Sequence, residues 1–356
     1  MSSRGEGTRI NELLDIVIRE GGSDLHLSPG SSPIIRVSGS LVPLLQQPVL
    51  TAEETLKILK SVAPEERFKN FDTNQSIDFS YAHTKEDRFR INGFVVQGAV
   101  AMAMRLIPHE VHTFANLNLP PVLEVFTQRQ QGFFLVVGPV GQGKSTTLAA
   151  MIERINETRA EHIMTIEDPV EYLFDAKKSL IHQREIHLDA PDFQSALQAA
   201  FREDVNVIMV GEMRDQETIS SAVTAAETGH LVLSTLHTNN AAQTIDRIID
   251  MFPPNQQGQV RVQLAGSLAG IFSQRLVPRI AGGLIPAYEL LINNSAIANL
   301  IREGRTHEIT TVVQTSSQEG MIDMDRSLAE LVRKGEVTIE HAYERAVDPK
   351  TFERYL

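Results

Sequence analysis

The octapeptide Gly138-Pro139-Val140-Gly141-Gln142-Gly143-Lys144-Ser145 constrains this chain more than any other stretch. It follows the apolar run Phe133 to Val137 and leads into Thr146-Thr147-Leu148-Ala149-Ala150-Met151-Ile152, which reads as a helix start. Two glycines five apart, then Lys-Ser, set between a strand and a helix, form the pattern of a phosphate-binding loop. Glycine lets the backbone fold round phosphate oxygens without Cβ clashes, and the helix N-terminus presents free N–H groups to the anion. The expected ATP-binding residues are therefore Gly138, Pro139, Val140, Gly141, Gln142, Gly143, Lys144, Ser145 and Thr146. Lys144 would reach the β- and γ-phosphates, and Ser145 would help hold Mg²⁺. A plain glycine-rich turn with a solvated lysine would leave unexplained why every mechanistic position is filled.

Such a loop needs acidic partners for the metal and for the attacking water. Thr165-Ile166-Glu167-Asp168-Pro169 closes a predicted strand, where a doubly wound sheet would turn Glu167 and Asp168 toward the nucleotide. Paired acids before proline can also simply cap a turn. Val207-Ile208-Met209-Val210-Gly211-Glu212 has the shape of a Walker B strand, with Gly211 where many NTPases carry Asp. Glu212 alone would then reach the metal region, with Ser145 as the other metal-side residue. His230 and His237 flank the apolar run Leu231 to Leu236. Their odd separation puts them on opposite faces of a strand, and a lone histidine at a strand end is commonly structural.

Composition narrows the function classes. Of 356 residues, 42% are hydrophobic and 22% charged, as in ordinary soluble domains. No apolar run approaches the roughly 18 residues that span a bilayer, so no membrane insertion is expected, and Met1 to Gly7 lacks a signal-peptide core. The absence of cysteine excludes disulfides and Cys-based zinc sites and suits the cytoplasm. A formal net charge of −12, with no tryptophan, argues against a nucleic-acid translocase.

Residues 1–110 read as a small α+β domain. An amphipathic helix over 8–20 ends at Gly21-Gly22, Thr51 to Glu54 form a capping box, and 76–107 is strand-rich. Residues 111–121, with two prolines, read as a linker. From 122 to 356, strands at 132–137, 162–166, 205–210 and 230–236 alternate with helices, the signature of an α/β parallel sheet. Beyond residue 240 the pattern predicts mainly helix, including one continuous helix over 254–274.

In order, Gly21-Gly22-Ser23-Asp24-Leu25-His26-Leu27, the loop, Thr165 to Pro169, Gln183-Arg184-Glu185 and Gly211-Glu212-Met213-Arg214-Asp215 resemble the secretion-superfamily ATPases. Ala226 to His230, Thr235-Leu236-His237-Thr238 and Ile301 to Ile309 continue the match, which is nearest the type IV pilus retraction branch. The resemblance covers nearly the whole chain. Val140 and Gln142 depart from the Thr and Ser common in the family's loop. The resemblance implies a RecA-like P-loop ATPase domain with a smaller N-terminal PAS-like α+β domain, in homo-hexameric rings. It assigns Glu167 to the attacking water, Glu212 to the Walker B position, and His230 and His237 to the His box. It makes Arg90 and Arg105 the arginines that the N-terminal domain supplies to the nucleotide. Implied partners are an inner-membrane pilus platform protein and a paralogous retraction ATPase. An accessory retraction role, an assembly or type II secretion role, and a nucleotide-gated scaffold of little turnover are the alternatives.

Overall fold

In the computed structural model, residues 3–69, 71–108 and 110–356 are described. The chain forms two units. The first is Met1–Glu110 with Asp168–Leu173 and Glu185–Pro191; the second is Val111–Glu167, Phe174–Arg184 and Asp192–Leu356.

The first unit contains α1 (Ser3–Arg19), β1 (Gly22–Leu27), β2 (Ile34–Val37), β3 (Ser40–Pro43), α2 (Ala52–Val62), β4 (Ser76–Ala82), β5 (Arg88–Val96) and β6 (Ala99–Leu106). The strands form one antiparallel sheet in the order β3-β2-β1-β6-β5-β4. On α1, Ile10, Leu13, Leu14 and Val17 recur at helical spacing and bury one stripe. That stripe joins Leu25, Phe79, Phe89, Ile91 and Met104 from the sheet in one core. Alternation along β5 buries Phe89 and Ile91 and leaves Arg88, Arg90 and Asn92 on the other face. The expected capping box is present at α2, where Thr51 and Glu54 bond each other's backbone N–H.

The second unit contains β7 (Gly132–Val137), α3 (Lys144–Thr158), β8 (His162–Glu167), β9 (Leu180–Glu185), β10 (Val207–Val210), α4 (Gln216–Glu227), β11 (Leu231–Leu236), α5 (Ala241–Asp250), α6 (Pro254–Ser267), β12 (Leu268–Pro278) and β13 (Leu284–Ile292). The sheet order is β13-β12-β7-β11-β10-β8-β9. The pairs β12–β7, β7–β11, β11–β10 and β10–β8 are parallel, and β12–β13 is antiparallel. Every residue of β7, β10 and β11 is buried, as near-continuous apolar runs require when helices cover both faces. Among the described residues no helix is long and apolar enough to cross a membrane.

Two expectations change. Residues 111–121 are not a free linker: Leu119 is buried in the second unit's core, and Phe114 and Leu117 pack against it. The continuous helix over 254–274 stops at Ser267, and Leu268 begins a strand. Short apolar runs carry no periodicity that separates helix from strand. Here the deciding partners are β7, paired from Phe133 to Val137, and β13, which come from elsewhere in the sequence.

Candidate functional site

Because β7, β8, β10 and β11 run parallel, their carboxyl ends lie along one edge of the sheet, where ligands of open α/β sheets bind. The phosphate loop leaves β7 there, Glu167 ends β8, Glu212 follows β10 by two residues, and His237 follows β11 by one. Gly143 caps α3 in the left-handed region (φ +76°), so the loop runs straight into the helix N-terminus.

Lys144 is buried, its exposure only 7%. Its ammonium donates to the carbonyls of Gly138 (2.9 Å) and Pro139 (2.8 Å) and to His237 Nδ1 (3.2 Å). On the far side of the ring, His237 Nε2 lies 3.3 Å from Glu212 Oε1. Arg214 donates to the other Glu212 oxygen at 2.8 Å. Burial pushes the Glu212 carboxyl up, but the Arg214 hydrogen bond and the charges of Arg214 and Lys144 outweigh it and hold it below the usual range. Glu212 is therefore an anion at neutral pH.

Glu167 is buried and accepts from Thr165 Oγ1 (2.7 Å) and from Gln183 Nε2 (3.4 Å). A Cβ at Gly211 would lie 3.6 Å from both Cα and Cγ of Glu167. A Cβ there would make only ordinary van der Waals contact with Glu167. The carbonyl of Gly211 accepts from Thr235 Oγ1 at 2.6 Å, which ties β10 and β11 together at the site.

Two residues are engaged otherwise than expected, and a third has a partner that the sequence did not suggest. Asp168, expected to face the nucleotide, belongs to the first unit, where its carboxylate accepts from Arg67 at 3.0 Å. His230 precedes β11, and its carbonyl pairs with Gly132 N at the start of β7. A six-residue strand is about 20 Å long, so His230 sits at the opposite sheet edge from the loop of its own chain. There its Nδ1 bonds the Ala225 carbonyl (3.0 Å) and its ring meets Phe201 edge-on. Gln142 is not idle: its Oε1 accepts from Leu276 N at 2.7 Å. Gln183, Thr165 and Arg214, given no role from sequence, bond Glu167 and Glu212; all three lie inside stretches that carry the family resemblance.

In the first unit, Arg90 and Arg105 are register partners on β5 and β6. Arg90 donates to both Asp78 oxygens (2.6–3.3 Å) and lies 3.5 Å from Glu171. Arg105 donates to buried Asp24 at 2.9 Å, yet its side chain is 72% exposed. Both line one concavity of about 510 Å³ with Asn92 and Tyr172.

A loop that wraps phosphates between β7 and α3, backed by acids on neighbouring parallel strands, defines a P-loop nucleoside triphosphatase. The chain belongs to the type II/IV secretion system protein family, whose model matches residues 7–345. It is 43% identical over 343 residues to the type IV pilus retraction ATPase PilT of Pseudomonas aeruginosa, covering 96% of this chain and 99% of that one. It is 38% identical over 336 residues to the type IV pilus ATPase PilU of the same species, covering 94% and 88%. The crystal structure of the pilus retraction motor PilT with bound ADP superposes with a TM-score of 0.88 at 47% identity, over 97% of this chain and 99% of that one. The protein is an ATP-hydrolysing enzyme.

Proposed function

We propose that the chain is the subunit of a homo-hexameric motor that hydrolyses ATP to retract type IV pili. The convergence of Lys144, His237 and Glu212 beside the loop carries the catalytic part. Near full-length similarity to a retraction ATPase supports the biological part. Water attacks the γ-phosphate in line, Glu167 orients and activates it, and Lys144 with the loop amides stabilises the charge that develops. Ser145 and Glu212 offer the hard oxygen donors that Mg²⁺ takes, with phosphate and water oxygens completing the shell. The metal would neutralise phosphate charge. Arg90 and Arg105 are the proposed source of guanidinium charge at the nucleotide. The ring works at the cytoplasmic side of the inner membrane, on a pilus platform protein and alongside a paralogous retraction ATPase.

Deleting the gene in its host should give hyperpiliated cells that no longer retract, and Lys144→Ala should copy the deletion. A bald surface would point to assembly instead. Purified wild type that turns over ATP no faster than Lys144→Ala would leave only a scaffold.

A further inference from the structure

Gln274 lies on β12, a strand with no part in the chemistry above, and its side chain is only 3% exposed. Both ends of its amide are engaged by the nucleotide-binding segment. Nε2 donates to the Gln142 carbonyl at 2.8 Å, and Oε1 accepts from Thr147 Oγ1 on α3 at 2.7 Å. The bonding is reciprocal, since Gln142 Oε1 accepts from Leu276 N at 2.7 Å. The loop backbone lies close against Gln274 as well. A Cβ at Gly138 would lie 2.4 Å from the Gln274 carbonyl oxygen, and one at Gly143 would lie 3.0 Å from Gln274 Nε2. Next to it, Ser273 Oγ donates to the Asn239 carbonyl at 2.9 Å and holds the turn that follows His237.

We propose that Gln274 is a positioning residue for ATP: it presets the phosphate loop so that binding does not have to order it. A loop of glycines is costly to order, because each loses more backbone freedom than any other residue. An amide that bridges the middle of the loop to the first turn of its helix meets that cost when the chain folds. The gain then appears in the affinity for every phosphate-bearing state alike, substrate, transition state and product. The departure at Gln142 belongs to the same device, because its long amide reaches Leu276 N where a short hydroxyl side chain would not.

The proposal rests on the loop being the ATP site, and one set of measurements separates the two. Fluorescent N-methylanthraniloyl-ADP is titrated with Mg²⁺ into wild type, Lys144→Ala and Gln274→Met, alongside steady-state ATPase assays and thermal melts. Wild type that fails to bind, or binds no better than Lys144→Ala, sinks the ATP-site reading itself. If wild type binds, Gln274→Met should raise the dissociation constant and KM about tenfold, the scale of one buried hydrogen bond broken, with kcat nearly kept. A folded Gln274→Met with wild-type affinity and KM overturns the positioning role, as does a fall in kcat with KM unchanged. Thr147→Val, which removes one of the two amide bonds at constant shape, is judged by the same criteria if Gln274→Met does not fold.

Discussion

The Lys144 ammonium donates to His237 Nδ1 at 3.2 Å, so the nitrogen that must accept is fixed. The ring proton is left on Nε2, 3.3 Å from Glu212. One imidazole therefore joins the lysine of the phosphate loop to Glu212. His237→Ala should lower kcat about 10–100-fold, the usual range for losing a residue that orients a site's working groups. Nucleotide affinity should stay close to wild type. An unchanged kcat would remove His237 from the reaction.

Glu167→Gln keeps the acceptor for Thr165 but cannot take a proton from water. Turnover should drop about 10²–10⁴-fold, as for loss of a general base, while nucleotide binding persists. Single-turnover assays read this directly, and a variant within a few-fold of wild type would assign water activation elsewhere.

The glycines of the loop should respond unequally. At Gly138 an added Cβ meets the Gln274 backbone oxygen at 2.4 Å, and at Gly141 it meets nothing within 4 Å. Gly141→Ala then costs only the positive φ of +76°, about 1 kcal/mol. Gly138→Ala must also shift backbone against backbone, so it should lower stability further, by about 1–3 kcal/mol. Equal melting temperatures for the two variants would contradict this.

The two arginines separate by packing. Arg105 is 72% exposed, so Arg105→Ala should change stability by only about 0–1 kcal/mol. Arg90 grips both oxygens of Asp78, and Arg90→Ala should cost about 1–2 kcal/mol. If each supplies charge to the nucleotide, ATPase activity falls in both variants by about 10³-fold or more. Normal turnover in a well-folded Arg105→Ala would exclude that arginine.

Glu289 gives the pH dependence. Burial raises its carboxyl from 4.5 to about 7, against the pull of the Ala241 N–H that it accepts at 2.7 Å. Between those two values the folded chain holds a proton that the unfolded chain has lost, so this group's contribution declines as pH rises through about 7. Glu289→Gln has no such slope. In urea unfolding, the stability of the variant relative to wild type should rise by about 2–3 kcal/mol between pH 4.5 and pH 8. A constant gap across that range would mean that Glu289 ionises as freely when folded as when unfolded.

The phosphate loop, β7, β8 and β11, and the acids at Glu167 and Glu212 were legible because each is a local pattern. A glycine placed for its φ, a run of apolar residues and an acid at the strand's end are written in consecutive residues. Parallel packing then necessarily brings those strand ends to one edge. Asp168 was expected elsewhere because its partner Arg67, 101 residues away, is chosen by packing and not by spacing.

By itself, the sequence marked the phosphate loop and named the side chains expected to act beside it. Only the tertiary structure decided what braces the loop. Leu268 to Pro278 has no strand signature of its own and becomes β12 because β7 and β13 supply the backbone partners on either side. The loop at Gly138–Ser145 is thus spelled out locally, but its shape is held by Gln274 from more than a hundred residues away. A hydrogen bond between distant segments exists only after both have been brought together by the burial of the sheet between them.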